Sequence, residues 1–224
     1  LYSSETYYFE IDWGDGSSVE TYSEIGSNLT VEHTYTTAGR YQVTITPLTI
    51  SESYDGFPQI YLYNSDNDEN LVSVNQWGYS KWSSMYRAFY GAKNLKGFPV
   101  NSPVLTNVSD MSSMFYEAES FNQDIGSWNV SSVINMSSMF YGAELFNQAI
   151  GSWNVSSVTN MSSMFYEAEL FNQAIGDWDV SSVTNMALMF YNSGSFNQAI
   201  GSWNVSNVTD MTSMFEGASL FNQP

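Results

Sequence analysis

The sequence predicts an α/β solenoid of 25-residue coils, each holding a short parallel strand and a short helix, behind an antiparallel β cap. Three observations carry this. Variants of Val-Thr-Asn-Met-Ser-Ser-Met-Phe-Tyr place a methionine at 111, 136, 161, 186 and 211. Phe-Asn-Gln begins at Phe121, Phe146, Phe171, Phe196 and Phe221, and tryptophan recurs at 128, 153, 178 and 203. A fixed 25-residue period means that each unit meets the same surroundings as its neighbours and buries its apolar side chains against them.

Within a coil, Ile125, Trp128, Val130 and Val133 take positions 1, 4, 6 and 9. That is the leucine-rich-repeat spacing, with Trp at the second leucine and Val in the usual place of Asn. Trp128 and Val130, two residues apart, predict a short strand facing inward, which turns Ser127, Asn129 and Ser131 outward. Met111, Met114, Phe115 and Ala118 fall at i, i+3, i+4 and i+7, the stripe of a short helix behind a Ser/Thr/Asn cap. Asn122, Asn147, Asn172, Asn197 and Asn222 are placed to form an amide ladder that satisfies backbone groups from coil to coil. Residues 82–92 read as a degenerate unit and 98–103 as an irregular connector. Residues 1–50 lack the period. Segments 7–13, 33–35 and 40–46 read there as strands, around a tight turn at Gly14 and Gly16. The expected organisation is a β-rich cap at 1–50, divergent first coils and connector at 51–104, and the tandem solenoid at 105–224.

Composition excludes several functions. Of 224 residues, 5 are Lys or Arg and 23 are Asp or Glu, a net charge of −18, which argues against nucleic acid as a partner. There is no Cys and one His, so thiol chemistry, Cys-ligated zinc and most acid–base constellations lose their usual residues. No apolar run approaches the ~20 residues of a membrane span. The chain starts at Leu1 without a visible signal peptide and reads as a piece of a longer protein. Residues 1–70 carry 12 acids and one Arg, whereas 71–96 hold Lys81, Arg87, Lys93 and Lys96 with no acid. Residues 97–224 hold 11 acids and no base, so nothing nearby offsets their repulsion, and such a surface attracts cations.

The unit Phe-Asn-Gln-x-Ile-Gly-x-Trp-Asn-Val-Ser-x-Val-Thr-Asn-Met-Ser-x-Met-Phe resembles the BspA-type leucine-rich-repeat surface proteins of bacteria, over roughly residues 57–224. Residues 11–16, with 33–39 and 41–45, are similar to a PKD-like β-sandwich signature. The resemblance implies a secreted or cell-anchored adhesin module, extracellular, that binds host, matrix or neighbouring cells. It implies no catalytic residue.

Candidate sites follow from the repeat. The outward strand face offers Ser127, Asn129, Ser152, Asn154, Asp177, Asp179, Ser202 and Asn204 for a protein, a glycan or a second copy of the chain. Glu119, Glu144 and Glu169 form an acidic column, with Glu117 and Glu167 two residues earlier. Like charges on adjacent coils repel by up to ~1 kcal/mol in water, and a hard ion such as Ca²⁺ would relieve this as diffuse counter-ions also would. Asp177 with Asp179, Asp66 with Asp68 and Glu69, and Asp12 with Asp15 are further oxygen donors, although none reproduces the Asp-x-Asx-x-Asx-Gly loop. The Trp, Met and Phe columns read as core. Tyr116, Tyr141, Tyr166 and Tyr191 read as a packed edge or a platform for a glycan or peptide. Asn-x-Ser/Thr triplets such as Asn129-Val-Ser131 read as caps before glycan acceptors. Met211, Met214, Phe215 and Phe221 in the last coil suggest an apolar end for self-association. Three functions stay open: a cell-surface binding or cohesion module, a rigid spacer in a larger adhesin, and a hydrolase using Asp177 and Asp179.

Overall fold

The computed structural model describes residues 6–25, 29–51, 54–55, 59–61, 70–78 and 82–224. The chain divides into two compact units, Leu1–Pro58 and Gln59–Pro224.

In the first unit, β1 (Thr6–Asp12) pairs antiparallel with β2 (Glu20–Ile25) on one side and β3 (Thr44–Pro47) on the other. A second antiparallel pair joins β4 (Thr49–Ser51) to β5 (Tyr54–Asp55). Alternation along β1 buries Phe9 and Ile11, and Phe9 stacks on Tyr22 across the sheet with centroids 5.4 Å apart. The β1–β2 connection turns at Gly14, whose φ is +74° and where a Cβ would lie 2.5 Å from the Gln42 carbonyl oxygen. Only glycine fits there. Residues 33–35, expected as a strand, are irregular, and they serve the turn instead. His33 lies 4.7 Å from the Trp13 ring in a near-parallel stack and 2.8 Å from Asp15 Oδ2.

The second unit corrects the expected fold class. Among the described residues there is no α-helix, and the repeats contain no parallel strands. Their strand-like contacts are isolated parallel bridges, Asp110 to Asn135, Asn135 to Asn160, Asn160 to Asn185 and Asn185 to Asp210. Each repeat is a succession of tight turns, so the α/β solenoid of strands and helices does not form.

The reason lies in where the backbone donors go. In residues 111–118 the N–H groups of Met114, Tyr116 and Ala118 close three-residue turns onto Met111, Ser113 and Phe115. The intervening donors, Met111, Ser113, Phe115 and Glu117, leave the repeat and bond the carbonyls of Asn135, Ser137, Met139 and Tyr141 in the next. A helix would spend both sets internally. The i, i+3, i+4, i+7 stripe is therefore satisfied by overlapping turns, and Met111, Met114, Phe115 and Ala118 are all fully buried on it. Ser and Asn, abundant here, favour turns over helix interiors. The turns require positive φ at Ser113 (54°) and Glu117 (54°), and the same positions recur as Ser138 with Gly142, Ser163 with Glu167, Leu188 with Asn192, and Ser213 with Gly217. The expected strand at Trp128–Val130 is pre-empted the same way: Trp128 N–H bonds Ile125 and Val133 N–H bonds Val130.

Because each outward donor shares its peptide plane with a carbonyl that accepts from the preceding repeat, all four planes per rung point one way. Met85, Arg87, Phe89 and Gly91 donate to Asp110, Ser112, Met114 and Tyr116, and later rungs repeat this. Their dipoles add along the stack, as in a helix. The carbonyl end is the rung at 85–91, which is also where Arg87, Lys93 and Lys96 cluster.

Packing fixes the interior. Phe115, Phe140, Phe165, Phe190 and Phe215 stack at 5.6 Å intervals, and each meets the phenylalanine of its own Phe-Asn-Gln turn at 3.9–4.2 Å. The buried indoles of Trp153, Trp178 and Trp203 donate to the carbonyls of Ile125, Ile150 and Ile175. Asn147 Oδ1 accepts from Asn172 N–H at 3.0 Å and from Gln173 Nε2 at 2.8 Å, and the ladder repeats at Asn122, Asn172 and Asn197. No helix of the described residues is long and apolar enough to cross a membrane.

Candidate functional site

The surface of the repeats is organised in columns, one side chain per rung. The residues expected on a strand face lie on turns. Asn129, Asn154, Asp179 and Asn204 are exposed, but each Oδ1 accepts the N–H of the residue two positions on: Ser131, Ser156, Ser181 and Ser206. The hydroxyls of Ser131, Ser156 and Ser181 add a second bond to the first three. These side chains build the turn and leave one polar edge to solvent. The bond from the Ser181 hydroxyl, then that from its N–H, holds the Asp179 carboxyl below the usual carboxylate range. A general acid needs the opposite shift.

Asp179→Asn restores the residue found at the other three rungs. Asp179 has a depressed folded pKa, so its contribution is present above the ordinary carboxylate value of ~4 and is lost as pH falls through the folded value. In urea melts from pH 6 to pH 2, the variant is expected to lose less stability on acidification and to match the parent at pH 6.

One position earlier, Ser152 and Ser202 donate to the carbonyls of Gly126 and Gly176, and Ser127 meets Ser102 at 2.9 Å. Asp177 is exposed at this position and, as a carboxylate, has no proton to donate to the carbonyl below.

The acidic column differs from its sequence reading in one respect. Lys93, one rung before Glu119, reaches its carboxylate at 3.2 Å, so a base does offset the first member. The 26-residue offset between these two positions was the available signal. Glu144 and Glu169 are exposed, next to the exposed side chains of Leu145 (45%) and Leu170 (47%). Glu117 and Glu167 hold positive-φ turn positions, and Glu167 Oε1 lies 3.5 Å from Asn192 Nδ2. Sequence reasoning missed this turn role, although the column reads Gly91, Glu117, Gly142, Glu167, Asn192, Gly217, the residue choice of a left-handed backbone. Among the described residues no group of three or more His, Asp or Glu side chains is placed to hold a metal ion. Asp66 and Asp68 lie outside the described residues. Of the end-patch residues, Met211 is exposed (42%), Phe215 and Phe221 are half-buried, and Met214 is buried.

The tyrosine column is the most ordered feature of the surface. Tyr90, Tyr116, Tyr141, Tyr166 and Tyr191 stack at 4.2–4.7 Å within 11° of parallel, one rung longer than the sequence reading placed it. Except at the two ends of the column, Tyr90 and Tyr191, the ring faces are spent on one another, so its middle offers edges and hydroxyls rather than faces. Burial, and next the hydrogen bond with Tyr166, pushes the Tyr141 phenol well above its ordinary value. Tyr191 is also raised, chiefly by the negative charge of Glu216. At the opposite end the Arg87 guanidinium lies 5.1 Å above the Tyr90 ring, and equally above Tyr86.

Residues 85–217 thus form a turn-built stack of closely similar rungs with ordered side-chain columns outside. Residues 61–169 and 148–224 match the family described as Mycoplasma protein of unknown function, DUF285, and the chain belongs to it. Neither a curated protein nor a solved structure matches the chain.

Proposed function

We propose that the chain is a non-catalytic module of a bacterial cell surface, outside the cell, that holds a protein, another copy of itself or a glycan. One observation carries the reading: outward polar side chains recur rung after rung, Ser127, Ser152, Asp177 and Ser202 beside Asn129, Asn154, Asp179 and Asn204, all exposed. A periodic row of this kind meets an extended or repeating partner at many points, and weak contacts then multiply. The resemblance to BspA-type repeats supports the surface setting, as does the PKD-like pattern of residues 11–16 and 33–39. Divalent cations assist by relieving repulsion among the carboxylates.

The test is the binding of labelled protein to intact bacterial cells and to surfaces coated with glycan or with the protein itself. Ser127→Lys/Asp177→Lys reverses the row's character at two exposed rungs and is expected to weaken binding about tenfold, a change of ~1.4 kcal/mol. Unchanged binding to every surface removes the row from the function.

A second reading, a rigid spacer within a larger adhesin, is favoured by the tyrosine column: its ring faces rest on each other, so the stack gains stiffness from the aromatic groups a binder would turn outward.

A further inference from the structure

The tyrosine column stops at a defined place inside the repeats. Tyr191 has Tyr166 on one side at 4.7 Å, and the residue at the same position of the next rung is Glu216. The rung itself is intact there, since Asn192 N–H bonds the Glu216 carbonyl at 2.8 Å and Phe190 stacks on Phe215 at 5.6 Å. What is missing is only the sixth phenol ring. The Glu216 carboxylate folds instead onto the Ser213 hydroxyl at 2.6 Å, on an exposed side chain. The next rung therefore offers Tyr191 a carboxylate in place of a ring.

The other end of the same column shows what such an end takes. The outermost ring, Tyr90, stacks on Tyr116 at 4.5 Å and carries the Arg87 guanidinium 5.1 Å from its centroid. A planar cation suits a tyrosine face because the ring quadrupole is negative there, and its thickness matches that of a stacked ring. The repeats around Tyr191 bring no such cation of their own, for residues 97–224 contain no Lys or Arg. They do supply Glu216 and, one rung back, Glu167, both close enough to raise the Tyr191 phenol.

We propose that the end of the column at Tyr191, beside Glu216 of the next rung, is a binding site for a guanidinium, the side chain of an arginine on a protein partner, stacked on the Tyr191 ring and paired with the Glu216 carboxylate. The fork of N–H donors fits a carboxylate beside the ring, which an ammonium satisfies less well. The proposal rests on the binding reading above and names the chemistry of a protein partner for it. Its test uses a small probe, so failure here leaves the cell-binding result standing.

The probe is acetyl-arginine amide, titrated into the full chain while the Tyr191 ring is followed by NMR. Acetyl-citrulline amide is the neutral control of the same shape. Saturable movement of the Tyr191 signals with arginine, at least fivefold tighter than with citrulline, is expected. Glu216→Gln should weaken arginine binding at least fivefold, and Glu216→Tyr, which completes the column, should abolish it. Unchanged Tyr141 signals verify that both variants keep the stack. Equal affinity for citrulline, or undiminished arginine binding by Glu216→Tyr, overturns the site. Preference for tetramethylammonium over arginine overturns its assignment to a guanidinium.

Discussion

Phe165→Ala is expected to cost about 4 kcal/mol, the middle of the range for a buried aromatic, and to do so without touching the surface. Phe165 is fully buried between Phe140 and Phe190, each 5.6 Å away, with Phe171 at 3.9 Å in its own repeat. Removing the ring strips contact from three aromatic neighbours at once. The surrounding repeats cannot collapse into the void, because their spacing is set by four backbone bonds per rung, those of residues 161, 163, 165 and 167. Phe215→Ala provides the comparison. Its ring is half-buried, with Phe190 at 5.6 Å and Phe221 at 4.2 Å, and less than half the loss is expected. Urea unfolding followed by tryptophan fluorescence measures both. Equal losses would mean that the two rungs do not differ in packing as described.

The second large effect is expected at a residue with no side chain. A Cβ on Gly151 would lie 2.3 Å from the Ala174 carbonyl oxygen, a backbone atom of the following repeat, and Gly126 and Gly176 meet Ala149 and Ala199 at 2.5 and 2.4 Å. The obstacle is backbone, so no rotamer change relieves it; the rungs must part locally. Gly151→Ala is expected to cost about 3 kcal/mol, the upper range for overpacking. Gly201, where the nearest atom is the Pro224 carbonyl oxygen at 3.3 Å, should tolerate alanine with a much smaller loss. Thermal melts of the two single variants distinguish this account from a general intolerance of alanine in the turn, which would penalise both alike.

Both predictions concern contacts between repeats, and the same contacts separate what was legible in the chain from what was not. The candidate site illustrates this. Tyr116 to Tyr191 could be read as a column from the period alone. That their ring faces are mutually covered depends on the rung spacing, which also decides that Asn129 and Asp179 are turn-building residues first. The Lys93 to Glu119 pair crosses a repeat boundary in the same way. In the first unit, the expected strand at 33–35 gave way to a loop because His33 is held by Trp13 and Asp15 rather than by a neighbouring strand.

By itself the sequence determined the 25-residue period, which side chains are internal, and the amide ladder at Asn122 through Asn222. These depend on residue type at fixed offsets, and burial follows hydrophobic character whatever the local backbone does. Only the tertiary structure decided between helix and turn. Met111, Met114, Phe115 and Ala118 present the same apolar stripe in either conformation, since both bring residues three and four apart onto one side. The deciding quantity is the destination of alternate N–H groups, and in these repeats they bond the next rung. That choice requires a neighbour already in place, which no single repeat can encode.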